Sequence, residues 1–307
     1  MLHKILVPLD GSIAAETALV PAMQIGRGTG AELLLLRALE MNYMAMPMMA
    51  GGYDWSWPVA DLENCRQEIA EYLSGVRRLH DCPTCHVRAL EMEGDAASCI
   101  VDTAEDEACD LIVMSTHGHT GVRRVLFGSA TERVLHAAPC PVLITRGKDP
   151  LRRMLITLDG SLLGESVMEP ALAIARAAGA RIILMRVNEV VPLNPLDMAA
   201  SWDWDMPDQE KKLLGERRQA AEAYLREVVA RYGLSPGEVE SIVLDGPPVE
   251  RIQEFARLYN IDLLAMSTHG HTGLRRWLYG SVTAQVMRAS HCSMLVVRPP
   301  HGAEGGS

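Results

Sequence analysis

The sequence has no excess of basic residues: 29 Lys and Arg stand against 39 Asp and Glu, a formal net charge of -10. Surfaces that neutralise nucleic-acid or lipid phosphates must be basic. A general nucleic-acid or anionic-membrane binder is therefore excluded, and any anion site has to be local. Also missing is a run of roughly 18 apolar residues, the minimum for a membrane span. The opening "MLHKILVPLDGS" has no long apolar h-region of a secretory signal, so the expectation is a cytoplasmic protein. The 7 cysteines are odd in number and irregularly spaced. In a chain this large they point to reduced thiols rather than a disulfide framework.

What is present is enough apolar material, 48% of 307 residues, for two cores, and a repeat. "MSTHGHTGVRRVLFGS" (Met114 to Ser129) recurs as "MSTHGHTGLRRWLYGS" (Met266 to Ser281), an offset of 152. "KILVPLDGS" ends at Ser12 and "RMLITLDGS" at Ser161, an offset of 149. A unit of about 150 residues is thus duplicated, with the boundary in the polar segment "RGKDPLRR" (Arg146 to Arg153). The implied domains are residues 1–147 and 152–300.

Each half alternates short apolar runs with amphipathic stretches. Strands are expected at "ILVPL", "ELLLLRAL", "HVRALEM", "DLIVMS" and "PVLITR", with helices at 13–28, 59–79, 95–108 and 129–137. The second half repeats the strands at 152–158, 180–187, 239–244, 262–267 and 293–298. The fold class is α/β: two tandem doubly wound domains, each a five-stranded parallel sheet. Ligands in such sheets bind beyond the carboxyl ends of the strands, where the winding reverses. "LDGS" follows the first strand and "STHGHTG" the fourth, so both line one crevice if those strands are neighbours.

In the glycine loop, Gly118 and Gly121 let the backbone approach a ligand without a Cβ in the way. Gly128 and Ser129 open the next helix, where amides and the helix dipole favour an anion. Ser129 can cap that helix or offer its hydroxyl to a phosphate, and Arg123 and Arg124 add positive charge. Gly270, Gly273, Gly280, Ser281, Arg275 and Arg276 repeat the pattern. The loop is neither a Walker A sequence nor a G-x-G-x-x-G fingerprint. Its plain alternative is a turn, a cap and solvated arginines. Asp10 and Asp159 suit a ribose hydroxyl or a divalent cation, or else an N-cap.

These residues resemble the universal stress protein family in its tandem, two-domain form. The resemblance rests on "VPLDGS" and "ITLDGS", the glycine loops, and the closing "CPVLITR" and "SMLVVRP". It implies an adenine nucleotide alpha hydrolase-like fold and, for the nucleotide-binding branch with its G-x2-G-x9-G-[ST] loop, ATP with or without Mg. Gly118, nine residues, Gly128-Ser129 match the latter part of that pattern, as do Gly270, nine residues, Gly280-Ser281. Serine stands at the first glycine in both halves, Ser115 and Ser267, and offers an amide and a hydroxyl to phosphate. Carried over position by position, the site of the first half is Pro8, Leu9, Asp10, Ala38, Met114, Ser115, Gly118, Arg123, Gly128, Ser129 and Ala130. That of the second is Leu158, Asp159, Val187, Met266, Ser267, Gly270, Arg275, Gly280, Ser281 and Val282. Asp10 and Asp159 would meet the ribose, phosphates and any Mg, the backbones at Ala38 and Val187 the adenine, and Ser129-Ala130 or Ser281-Val282 the phosphates. Single-domain members pair through their last strands, so the resemblance also implies an intramolecular pseudo-dimer, with further homodimerisation open.

Three other features compete for a role. "HDCPTCH" offers Cys82 and Cys85 to zinc or redox chemistry, although no second ligand pair follows and a loop with incidental thiols is the simpler account. The methionine-dense stretch from Met41 to Pro58 suits a flap or partner surface better than a copper site. The histidines at 117, 119, 269 and 271 suit loop hydrogen bonds or phosphate contact. No nucleophile, base and orienting group can be assembled from the motifs. The expected function is therefore binding: a nucleotide-responsive stress protein acting on an unidentified protein partner, with at most slow ATP hydrolysis. The alternative is a nucleotide-free interaction module.

Overall fold

The computed structural model describes residues 2–40, 59–81, 83–115, 128–147, 149–189, 208–268 and 280–299. The chain divides into two compact units, Met1–Pro150 and Leu151–Ser307. The first runs β1 (Lys4–Pro8), α1 (Ile13–Glu16), α2 (Leu19–Thr29), β2 (Glu32–Leu39), α3 (Val59–His80), β3 (Val87–Glu93), α4 (Ala96–Asp106), β4 (Leu111–Ser115), α5 (Ser129–Ala137) and β5 (Val142–Thr145). The second runs β6 (Arg153–Thr157), α6 (Leu162–Glu165), α7 (Met168–Ala178), β7 (Arg181–Asn188), α8 (Asp208–Arg231), β8 (Val239–Asp245), α9 (Pro248–Leu258), β9 (Leu263–Ser267), α10 (Ser281–Ala289) and β10 (Ser293–Val297).

Within the first unit the strand order is β3-β2-β1-β4-β5, and within the second β8-β7-β6-β9-β10. Every pairing inside a unit is parallel. Ile5, Leu6 and Val7 are consecutive and all inaccessible to solvent. Successive strand residues point to opposite faces, so both faces of this sheet are covered, which is what parallel sheets require. β1 pairs with β4 through Ile5 and Leu111, and β6 with β9 through Met154 and Leu263. First and fourth strands are therefore neighbours, and their carboxyl ends open side by side. At the opposite end one carboxylate fixes each pairing. An Asp110 oxygen accepts from the amides of His3 and Lys4 at 2.6 and 2.9 Å, and an Asp262 oxygen from those of Arg152 and Arg153 at 3.0 and 2.8 Å.

One element differs from expectation. The helix expected over 13–28 is two helices, α1 and α2, and the second unit repeats the break between α6 and α7. The cause is Pro21 and, at the matching place, Pro170. A proline ring clashes with the carbonyl four residues earlier and cannot donate to it, so the chain turns at Thr17 and Ser166. There the amides bond three residues back, Thr17 to Ala14 and Ser166 to Leu163, each at 3.2 Å. Both hydroxyls reinforce the turn at 2.7 Å to the same carbonyls. α2 and α7 then end on Gly30 and Gly179 in left-handed conformation, φ +74 and +65, the usual means of closing a helix.

Candidate nucleotide site at the strand ends

The turn after the first strand is built identically in both units. Asp10 Oδ1 accepts from the Ser12 amide at 2.9 Å and hydroxyl at 2.6 Å, and Asp159 Oδ1 from those of Ser161 at 2.9 and 2.7 Å. The serine in turn caps the short helix, accepting from Ala15 N at 3.1 Å or Gly164 N at 2.9 Å. The cap is thus Ser12 or Ser161, and the aspartate orients it. This corrects the alternative in which the aspartate itself caps: two residues separate it from the helix, and its carboxylate is held at the crevice.

The units differ beneath that carboxylate. A Cβ at Gly164 would lie 2.3 Å from Asp159 Oδ1, and the matching residue of the first unit is Ala15. A side chain at position 164 would collide with the Asp159 carboxylate as it stands.

The fourth-strand side is tied down by threonines. Thr131 Oγ1 donates to the Ser115 carbonyl at 3.3 Å and Thr283 Oγ1 to that of Ser267 at 2.9 Å. These bonds hold the start of α5 or α10 against the strand end. The N-caps are Gly128 and Gly280, with no side-chain cap bond, and Ser129 and Ser281 are the first helical residues. The sequence allowed Ser129 to cap; a glycine with extended ψ takes that position instead. Both serines are exposed at the helix start, where free amides and the dipole favour an anion.

Ser267 is largely buried at the end of β9. It is 8% exposed, and its hydroxyl lies 3.0 Å from the Leu163 carbonyl and 3.2 Å from Ser166 Oγ. Its hydroxyl ties β9 to the turn after α6.

In the second unit these parts enclose a cavity of about 550 Å3. Leu158, Asp159, Val187, Met266, Ser267, Gly280, Ser281 and Val282 all line it. They come from the ends of β6, β7 and β9 and the start of α10, brought together by the strand order. Gly270 and Arg275 lie outside the described residues. In the first unit Leu9 and Met114 are buried, Pro8, Asp10, Ala38, Ser115, Gly128 and Ala130 partly so, and Ser129 is exposed; Gly118 and Arg123 lie outside the description. So do Cys82, the paired histidines other than in sequence, and the methionine-dense stretch. Cys85 is buried and donates to the Ala31 carbonyl at 3.5 Å.

Sequence reasoning missed one basic component. Arg186, near the end of β7, lines the cavity with its guanidinium 4.9 Å from the centroid of the Tyr224 ring. Arg37 stands likewise 5.0 Å over Tyr72. Each arginine crosses the glycine of the Asp-Gly-Ser turn: a Cβ at Gly160 would lie 2.8 Å from Arg186 Nη1, and one at Gly11 3.0 Å from Arg37 Nη1. Tyr72 donates to Glu16 at 3.1 Å. In the second unit the matching Glu165, 7% exposed, is paired with Arg231 at 2.5 Å. Burial, together with the neighbouring carboxylate, pushes both tyrosine hydroxyls well above their usual pKa, so they stay protonated. The available signal was the recurrence of Arg, Tyr and Glu at matched positions of the two copies, which motif reading passed over.

Comparison with known proteins agrees with this architecture. The model of the universal stress protein family matches twice, over residues 1–146 and 150–298. A universal stress protein of Methanocaldococcus jannaschii is 31% identical over 158 residues, covering 52% of this chain and 88% of its own. One from Mycolicibacterium smegmatis is 23% identical over 312 residues, 97% of each chain. The crystal structure of a universal stress protein from Archaeoglobus fulgidus superposes with a TM-score of 0.68 at 19% identity, covering 96% of this chain and 98% of that one. With two family domains spanning nearly its full length, the chain belongs to the universal stress protein family in its tandem form.

Proposed function

We propose that this protein binds ATP at the strand ends of one or both units and acts as a nucleotide-responsive regulator in the stress response, in the cytoplasm. The observation that carries the proposal is the 550 Å3 cavity of the second unit. Its lining combines an uncapped helix start for phosphates, a carboxylate beside it, and the end of β7 for a base. That volume lies in the range of small-molecule sites. Asp159 would hold Mg only together with phosphate oxygens and water, the usual manner of that ion; the cation would neutralise the phosphates. The chain's own groups bind and orient, and hydrolysis would be slow. The pairing of the two units within one chain, implied by the resemblance, belongs to the same proposal.

A second reading, an interaction module without nucleotide, draws on Ile13 and Leu162. These matched residues follow the Asp-Gly-Ser turns and are 73% and 81% exposed, a place where a protein partner could settle. The test is to denature purified protein, quantify released adenine nucleotide per chain, and measure the thermal shift with ATP and Mg. Val187→Trp and Ala38→Trp should each remove one site. Loss of nucleotide or shift in those variants supports ATP binding; no nucleotide and no shift in the parent chain leaves the interaction module.

A further inference from the structure

The cavity of the second unit has a cationic wall that belongs to no motif. Arg186 of β7 and Arg217 and Ala220 of α8 line it together with Asp159. The Arg186 guanidinium is held in a defined attitude. A Cβ on Gly160 would lie 2.8, 2.9 and 2.9 Å from its Nη1, Cζ and Nη2. Near-equal distances to three atoms of one plane put Gly160 over the face of the group, and the Tyr224 ring centroid lies 4.9 Å from Cζ. Guanidinium N–H groups lie in that plane, so the contact with Gly160 leaves them unused. Among the described residues, neither Arg186 nor Arg217 forms a hydrogen bond or ion pair with a carboxylate. The adjoining Arg218 does, with Glu222 and Asp245.

This wall stands apart from the anion position at the helix start. α10, whose first turn has no side-chain cap, follows β9. β6 separates β9 from β7, which sets the two strands roughly 10 Å apart, two strand spacings. Asp159 follows the end of β6, between them. One cavity therefore offers donors for negative charge on both sides of its aspartate. In the nucleotide reading the phosphates take the α10 side and the ribose takes Asp159, which leaves the sugar's 2′ and 3′ hydroxyls next to the arginines.

We infer that Arg186 and Arg217 form a second anion subsite, and that the second unit takes a nucleotide carrying a further phosphate on its ribose. The inference rests on the nucleotide reading above and adds a group that this reading does not place. In α/β nucleotide sites a carboxylate meets a free ribose hydroxyl, whereas an arginine accommodates a phosphate ester at that position. A phosphate monoester is close to doubly charged at neutral pH. Two guanidinia offset that charge beside Asp159 and Glu189, which line the same cavity. The first unit keeps Arg37 but has Cys65 and Glu68 where Arg217 and Ala220 stand. A single cation with an added carboxylate disfavours a second phosphate, so the subsite belongs to the second unit.

The experiment is calorimetric titration of the full chain, in the Ala38→Trp background that closes the first site, with ATP, AMP and adenosine 3′,5′-bisphosphate. The last differs from AMP only by the ribose phosphate. It should bind about 10-fold more tightly than AMP, the scale of one charge-assisted hydrogen bond. Arg217→Gln should lower that ratio about 3-fold, as expected for an exposed charge, and Arg186→Gln should bring it close to unity. Ala220→Glu, at an exposed helix position, installs the first unit's carboxylate without threatening the fold and should lower the ratio as well. ATP binding with a bisphosphate no tighter than AMP, or with a ratio that none of these substitutions changes, overturns the inference and leaves the nucleotide site standing. ATP bound by the parent but not by the Ala38→Trp chain puts the nucleotide in the first unit and likewise overturns it. No ATP binding by either chain overturns both readings.

Discussion

Replacing Gly160 by alanine tests whether the arginine across the turn is part of the site's construction. Gly160 has φ +87, a conformation that costs an L-residue about 1–2 kcal/mol. Beyond that, the new Cβ would lie 2.8 Å from Arg186 Nη1 and 2.9 Å from Cζ and Nη2, distances that force the guanidinium to move. Moving it forfeits the stacking on Tyr224, worth about 0.5–1 kcal/mol for a partly exposed pair. The expected loss is about 1.5–3 kcal/mol, a fall in Tm of about 3–12 °C for a unit of this size. Part of that loss depends on Arg186. In an Arg186→Ala background the stacking is already gone and the clash is absent, so Gly160→Ala should cost only about 1–2 kcal/mol. Urea unfolding of the four proteins followed by far-ultraviolet circular dichroism gives this cycle directly. Equal costs of Gly160→Ala with and without Arg186 would refute the reasoning and reduce the glycine to a backbone requirement.

Acid stability should respond to Glu107. Hydrogen bonds from Arg88 and Lys4 hold its carboxyl down at about 2. A depressed carboxylate contributes fully above its ordinary value near 4.5 and loses that contribution as pH falls toward the folded value. Glu107→Gln should therefore lower the urea midpoint at neutral pH and flatten its decline between about pH 4.5 and 2. Asp95, held at about 2 by Arg133 and the Ser98 amide, should supply the slope that remains; an unchanged profile would remove Glu107 from the acid response. Ser267→Ala should cost about 1 kcal/mol of stability through the lost bond to the Leu163 carbonyl, while ATP affinity stays within about twofold. A tenfold loss of affinity at unchanged stability would return the hydroxyl to the phosphates.

The central strands were legible because each has a short apolar run that burial on both faces demands, whereas the edge strands β3 and β8 carry charged residues and are only partly buried. The duplication was legible as self-similarity, and it carried the fold class and the two turns with it. The breaks at Thr17 and Ser166 were written in Pro21 and Pro170, a local steric rule that the periodic apolar pattern obscured. The roles of Ser129 and Ser267 were not readable. A serine at a helix start or strand end can cap, bind a ligand or bond a neighbour, and only the fold shows that Ser267 reaches the Leu163 carbonyl.

The sequence by itself determined the secondary structure, the two-unit repeat, the Asp-Gly-Ser turns and the set of candidate residues, because local propensity and periodicity act over a few residues. Tertiary structure alone decided which of them meet in one cavity. It also placed Arg186 across Gly160 and against Tyr224, and set Asn188 against Asp245, 57 residues further along the chain. Those pairings follow from strand order and register, which are settled by how the apolar faces pack and not by any stretch of chain considered alone.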